Sequence, residues 1–119
     1  MWSMTDTRSA SRRITDEATS WPGVEAGIGS RGEYGFTLGR RALGHLHGDH
    51  VAHFGFPKEV WRELFAGGRI THPPVFPGKE GPASRRIDDG DDVEDVIAIL
   101  RGNYERSVAR SGRAVPTPS

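Results

Sequence analysis

Apolar and polar positions alternate along the first half of the chain, a pattern typical of β-strands. Tyr34, Phe36 and Leu38 alternate with smaller or polar neighbours, and a similar run covers residues 23–29. The break between the two runs, residues 30–32, has the sequence Ser-Arg-Gly. Polar residues with glycine between two such runs predict a strand-turn-strand unit.

A second hairpin is predicted directly afterwards. Residues 41–47 and 50–56 are both suited to strands, and Gly48-Asp49 lies between them. Glycine at the first central position of a two-residue loop suits a type II′ turn. In that register His47 faces His50, and His45 faces Ala52.

Three segments have helical spacing instead. A short helix is predicted within residues 7–20, where apolar residues recur every fourth position until Pro22 ends it. A second is predicted over residues 57–67, with proline in its first turn, Gly67-Gly68 at its end, and Trp61 and Phe65 in its core-facing stripe. The longest begins in the acidic run 88–95, where Asp91 and Glu94 have capping-box spacing, and continues through Tyr104, which is expected to pack.

Between these helices, the proline-rich residues 69–81 predict an extended edge segment, and residues 82–87 predict one more short strand. The expected fold class is α+β: a single small domain whose antiparallel sheet of hairpins is covered by the 57–67 helix and the C-terminal helix. Residues 1–20 are interpreted as a tail with a short helix, residues 21–110 as the domain, and residues 111–119 as a disordered tail.

Composition narrows the function classes. The chain has 119 residues, 16 basic and 16 acidic side chains and no cysteine. Its length suits one domain, and its zero net charge argues against nucleic acid as a partner. The lack of cysteine excludes disulfides and thiolate chemistry and fits the cytoplasm. A membrane span is not predicted, so we expect a soluble protein without a membrane partner.

Histidines are concentrated in the second predicted hairpin. Four of the five lie within the nine residues 45–53. With a two-residue loop, the strand period of two places His45, His47 and His50 on one surface and turns His53 to the other.

Three interpretations of this cluster remain open. Neutral imidazoles can accept a proton from an acidic hydroxyl at physiological pH. Two histidines of one strand with a third ligand, for which His72 is the candidate, can bind a borderline metal ion. The side chains can also simply pack or lie in water. Apart from the histidines, the arginines at 40, 41, 85 and 86 would form an anion clamp if the strands align them.

The chain also contains a series of short motifs that together resemble one known family. They are Trp21-Pro22-Gly23-Val24, Leu38-Gly39-Arg40-Arg41, Gly44-His45-Leu46-His47-Gly48-Asp49, Phe56-Pro57, Ala66-Gly67-Gly68-Arg69, His72-Pro73, and Asp92-Val93-Glu94 through Tyr104-Glu105. From about Trp21 to Arg106 the chain resembles the luciferase-domain family, which takes its name from the fungal luciferases and includes small bacterial proteins. The terminal helix ending near a Tyr-Glu pair also resembles the YjbR-like fold.

Fungal luciferases add molecular oxygen to an enolic pyrone, so the resemblance implies oxygenation of a small aromatic or enolic ligand by histidine base chemistry. It implies His45, His47 and His72 as catalytic residues, oxygen as co-substrate and no cofactor, and it does not require a metal. Asp49, His50, Arg41 and Phe54 are assigned to ligand binding.

Two positions depart from the family pattern: Ala42 stands where an acidic residue is usual, and residues 82–86 lack a usual tryptophan.

A homodimer is expected from an exposed edge strand. The alternative function is a noncatalytic interaction module or a histidine-ligated metal-binding protein.

Overall fold

The computed structural model describes residues 7–30, 32–75 and 77–110. Its five strands form one antiparallel sheet in which spatial order equals chain order, so each strand pairs with the next. The strands are β1 Val24–Ile28, β2 Tyr34–Leu38, β3 Arg41–His47, β4 Val51–Gly55 and β5 Pro82–Arg86. The α+β prediction is confirmed, and the two predicted hairpins are joined into one continuous meander.

Three helices accompany the sheet: α1 Ala10–Ala18, α2 Lys58–Ala66 and α3 Gly90–Arg110. α1 packs against α3, and α3 packs against β3. Buried apolar side chains of α1 and α3, such as Ile14 and Leu100, belong to the same core as Phe36, Leu43 and Leu46 of the sheet. The cover of this face therefore includes the first helix as well as the C-terminal one.

The C-terminal half of α3 contacts the segment between α1 and β1. The Tyr104 hydroxyl donates to the Pro22 carbonyl oxygen at 2.8 Å, and the ring centroids of Trp21 and Tyr104 are 5.5 Å apart. Tyr104 is 4% exposed, which confirms the prediction that it packs.

The first turn of α3 is capped two positions before the predicted cap. The Asp89 carboxylate accepts from the Asp92 backbone N–H at 2.9 Å, and the Asp92 carboxylate accepts from the Asp88 N–H at 2.7 Å. The Asp91 and Glu94 spacing is therefore not the one used. Asp89 and Asp92 are three residues apart, and so are Asp91 and Glu94, so spacing alone does not distinguish the two pairs.

A β-bulge in β3 determines which side chains face the helices. The register moves from Phe36–Gly44 to Thr37–Ala42, which leaves Leu43 without a partner in β2. In an unbroken strand Leu43 would share a face with His45, because side chains alternate. The bulge instead buries both Leu43 and Leu46 in the core while His45 lies on the opposite face.

The bulged backbone has a partner in α3. The side-chain amide of Asn103, which is 7% exposed, donates from Nδ2 to the Leu43 carbonyl oxygen at 2.9 Å and to the Gly55 carbonyl oxygen at 3.3 Å. One buried polar side chain thus joins α3 to β3 and to the end of β4.

The proline-rich segment after α2 lies along the outer edge of β5. Thr71 forms an isolated antiparallel bridge with Ser84, which agrees with the predicted edge segment. Trp61 of α2 is 3% exposed and donates from Nε1 to the Pro82 carbonyl oxygen at 2.9 Å. Phe65 is 43% exposed, so its predicted place in the core is wrong. It stacks on Trp61 at the surface, with the ring centroids 4.7 Å apart.

The predicted arginine clamp does not form between the strands. Arg85 reaches α3, where it contacts Asp92 at 2.6 Å and Asp95 at 2.9 Å, and Arg86 pairs with Asp88. Carboxylates of α3 hold the Arg85 guanidinium, and a carboxylate just before that helix holds the Arg86 guanidinium.

At the other edge of the sheet, β1 exposes Ile28, and the expected homodimer stays a prediction. Residues 1–6 of the predicted N-terminal tail and the predicted disordered tail from residue 111 lie outside the described residues. Among the described residues, none of the helices is long and apolar enough to cross a bilayer.

Candidate functional site

The loop between β3 and β4 decides which histidines meet. His47 pairs with Val51, so the loop has three residues, Gly48 to His50, and the predicted two-residue turn is wrong. A shift of one residue turns every side chain of β4 to the other face. His45 therefore faces His53, and His50 leaves the cluster.

Contacts from two other elements stabilise the longer loop. The Asp49 carboxylate accepts from the Ser11 backbone N–H at 2.8 Å in the first turn of α1, and the His50 carbonyl oxygen accepts from the Ile87 N–H at 2.8 Å. Gly48 has φ +68°, a conformation that favours glycine. The loop is thus fixed by residues distant in sequence.

Three imidazoles form a compact triangle on the sheet face turned away from α1 and α3. We call His45, His47 and His53 the histidine cluster. Their ring centroids are 5.0 Å apart for His45 and His47, 5.3 Å for His45 and His53, and 4.6 Å for His47 and His53. One ligand nitrogen from each ring lies within 4.8 Å of the other two. His45 and His53 are half-buried, while His47 is exposed.

The histidine cluster forms one side of a pocket of about 560 Å³. The rest of the lining is mostly apolar, with Glu33 and Ser30 at one end. The apolar lining residues are Phe54, Pro73, Val75, Pro82 and Ala83. A concave apolar site with a few convergent polar groups is the usual form of a small-molecule site.

Electrostatics favour the neutral form of His45 and His53. Burial lowers the pKa of His45, the charge of His47 lowers it further, and Glu33 acts in the opposite direction. Burial also lowers the pKa of His53, and His47 and His45 add to the effect. Neutral imidazoles offer a lone pair to a proton or a metal ion at physiological pH.

The other residues predicted for the site lie at different distances from it. Phe54 is among the residues that line the pocket, but its side chain is buried in the core, and its predicted role in ligand binding stays a prediction. Asp49 and His50 line a separate cavity of about 300 Å³ beside the starts of α1 and α3. Arg41 begins β3 and pairs with Leu38, at the opposite end of the strand from His47.

His72 lies outside the histidine cluster. Its ring packs near Trp61 and Phe65, at centroid distances of 5.0 and 5.2 Å. Its Nδ1 is buried and has no hydrogen-bond partner among the described residues. The neighbouring Pro73 lines the pocket and His72 does not, so the catalytic role predicted for His72 stays a prediction.

Two residues of the site were missed from the sequence. His53 was placed on the wrong face because its orientation depends on whether the loop length is odd or even. Glu33, just before β2, lines the pocket together with His45. It provides a carboxylate at the site although Ala42 stands where an acid was expected. Gly35 pairs with His45, which places Glu33 two residues away on the same face.

A small α+β domain with a histidine-lined pocket on the sheet face opposite its helices is the class of protein that these features define. The model of the luciferase domain family matches residues 40–103, which is more than half of the chain and includes the whole histidine cluster. The chain therefore belongs to the luciferase domain family. No curated protein and no solved structure matches it.

Proposed function

We propose that the pocket binds a small enolic or phenolic ligand and promotes its reaction with molecular oxygen. The observation that carries this proposal is the convergence of three imidazoles on one side of an otherwise apolar pocket. The membership of the chain in the luciferase domain family supports the same reaction class.

The pocket suits a planar ligand with one acidic oxygen. Its volume of about 560 Å³ falls within the range of small-molecule sites. Val75 and the prolines Pro73 and Pro82 offer apolar surface to a ring, while the imidazoles offer nitrogen atoms to a hydroxyl group. The acidic oxygen then lies against the histidine cluster and the ring lies against the apolar lining.

The chemistry requires one proton acceptor and no permanent change in the protein. His45 or His53, the two half-buried members, accepts the hydroxyl proton and leaves an electron-rich anion. A ligand carbon gives two electrons to O₂ and forms a C–O bond, and the terminal oxygen takes the proton back from the imidazolium. The ligand is oxidised, oxygen is reduced to the peroxide level, and the product is a hydroperoxide of the ligand.

Oxygen consumption with a panel of enolic and phenolic compounds tests this proposal in chelator-treated protein. General base catalysis contributes about 10²- to 10⁴-fold to rate, so the double variant H45Q/H53Q should lose at least about 100-fold. H50Q is the matched control, because His50 belongs to the same hairpin but lies outside the cluster. H72Q tests the role predicted from sequence, and the position of His72 predicts a rate near wild type.

The proposal fails if the folded double variant consumes oxygen as fast as wild type. It also fails if no compound of the panel both binds and reacts. Isothermal titration of each compound separates weak binding from slow reaction.

A further inference from the structure

We infer that His45, His47 and His53 together bind one divalent transition-metal ion. The inference deepens the proposed function, because the ion would lie at the same end of the pocket as the acidic oxygen of the ligand. Its geometric basis is independent of that function: three histidines from two adjacent strands each place a ligand nitrogen close to those of the other two.

The separations leave only a small adjustment for metal binding. The ligand nitrogens all lie within 4.8 Å of one another. Zn–N bonds of about 2.0–2.1 Å in a tetrahedral site place two nitrogens about 3.3 Å apart. Each pair thus needs to close by no more than about 1.5 Å, a distance within the reach of side-chain rotation.

The rings are able to make that adjustment. None of the three imidazoles donates a hydrogen bond to another described residue, so rotation breaks no such bond within the described part of the chain. His47 is exposed, and therefore moves without disturbing the core. The strands themselves are held in register by the His45–His53 pairing.

The donor set selects the class of metal. Three imidazole nitrogens suit borderline ions such as Zn²⁺, Co²⁺, Ni²⁺ and Cu²⁺, while Mg²⁺ and Ca²⁺ prefer oxygen ligands. Three protein ligands leave at least one coordination position open, which is the pattern of catalytic and not of structural zinc sites. The pocket lies on the open side of the cluster, so that position is accessible to a ligand oxygen.

A bound cation would have a defined effect on the proposed function. Imidazole nitrogens that bind the ion cannot also accept the hydroxyl proton, so the ion would replace them in stabilising the ligand anion. An enolate or phenolate oxygen in the open position would be stabilised by the charge of the ion, as a metal-bound water is. Glu33 provides a carboxylate in the same pocket. Only this connection to ligand chemistry rests on the proposed function.

The test is titration of the chelator-treated full chain with Co²⁺ alone, followed by visible absorption and by calorimetry. One equivalent should bind and give the intense visible bands of four- or five-coordinate Co²⁺, and Zn²⁺ should displace it. Loss of an outer-shell partner already weakens metal sites by 10- to 100-fold, so loss of a ligand in H53Q should weaken binding by more than about 100-fold. H50Q and H72Q should bind within about twofold of wild type.

H47Q provides a second ligand variant that is expected to fold, because His47 is exposed. Absence of stoichiometric Co²⁺ binding overturns the inference, as does H47Q binding with wild-type affinity or H50Q weakening it equally. Oxygen consumption by chelator-treated protein without Co²⁺ binding would leave the proposed function standing and reject the metal site. Co²⁺ binding without any reactive compound would do the reverse.

Discussion

Replacing Asn103 with alanine should destabilise the protein through one carbonyl group. The Asn103 side-chain amide donates a hydrogen bond to the Leu43 carbonyl oxygen. Leu43 is the bulged residue of β3 and is 0% exposed. A buried acceptor left without its donor costs about 1–3 kcal/mol. Gly55 is exposed, so water can replace the second bond. The expected loss in the free energy of unfolding is therefore about 1–3 kcal/mol.

Urea unfolding followed by tryptophan fluorescence measures this loss, because Trp21 and Trp61 are buried. With a slope of about 2 kcal/mol per molar urea, the midpoint of N103A should fall by about 0.5–1.5 M. The imidazole NMR signals of His45 should also shift, because the bulge determines how β3 continues to that residue.

R106A is the control for this prediction. Arg106 donates to the Asn103 Oδ1 at 2.6 Å, so its removal leaves both bonds from Nδ2 in place. R106A should cost less than N103A. The reasoning is refuted if the two variants lose equal stability, or if N103A stays within about 0.5 kcal/mol of wild type.

Three further predictions concern the loop, the core and the histidines. In metal-free protein the pKa values of His45 and His53 are lower folded than unfolded, so the unfolded chain binds more protons below about pH 6.5. The free energy of unfolding should then be highest above that pH and fall as the pH drops through it. Urea titrations at several pH values should show that this free energy depends less on pH in H45Q/H53Q than in wild type. D49A should lose about 0.5–2 kcal/mol, the usual cost of a helix cap, because Asp49 accepts from the first turn of α1; an unchanged melting temperature would contradict this. G44A places a methyl group 2.8 and 2.9 Å from core side-chain carbons and should cost about 1–3 kcal/mol in urea unfolding, whereas G55A, with nothing within 4 Å, should cost less than half as much.

Most of the fold was predictable because local periodicity determines it. The alternation of apolar and polar residues around Phe36 corresponds to the observed strand β2, and the spacing of apolar residues by four positions corresponds to the observed helix α1. The bulge at Leu43 was not predicted, although a strict period of two would place Leu43 beside His45 on the pocket face. Its basis is a contact with Asn103, 60 residues away, which no local pattern contains.

The sequence predicted that histidines form the site, but it predicted the third histidine of the cluster wrongly. The concentration of histidines in one hairpin identified His45 and His47 correctly as neighbours. Whether His50 or His53 joined them depended on a single residue of loop length. That length is supported by the contact of Asp49 with α1 and by the His50 carbonyl at the end of β5, and both partners are remote in sequence.

The meander also has a consequence for the order of folding. Every strand pairs with its chain neighbour, so the sheet forms through short-range loop closures, except for the longer connection between β4 and β5. The contact between α1 and α3 instead joins the two ends of the described chain, as the Arg13–Glu94 ion pair spans 81 residues. Local contacts form faster than contacts between distant segments. The β3–β4 hairpin should therefore assemble early and the helix layer last, so native-state hydrogen exchange should open the α1–α3 contact while the histidine hairpin remains protected.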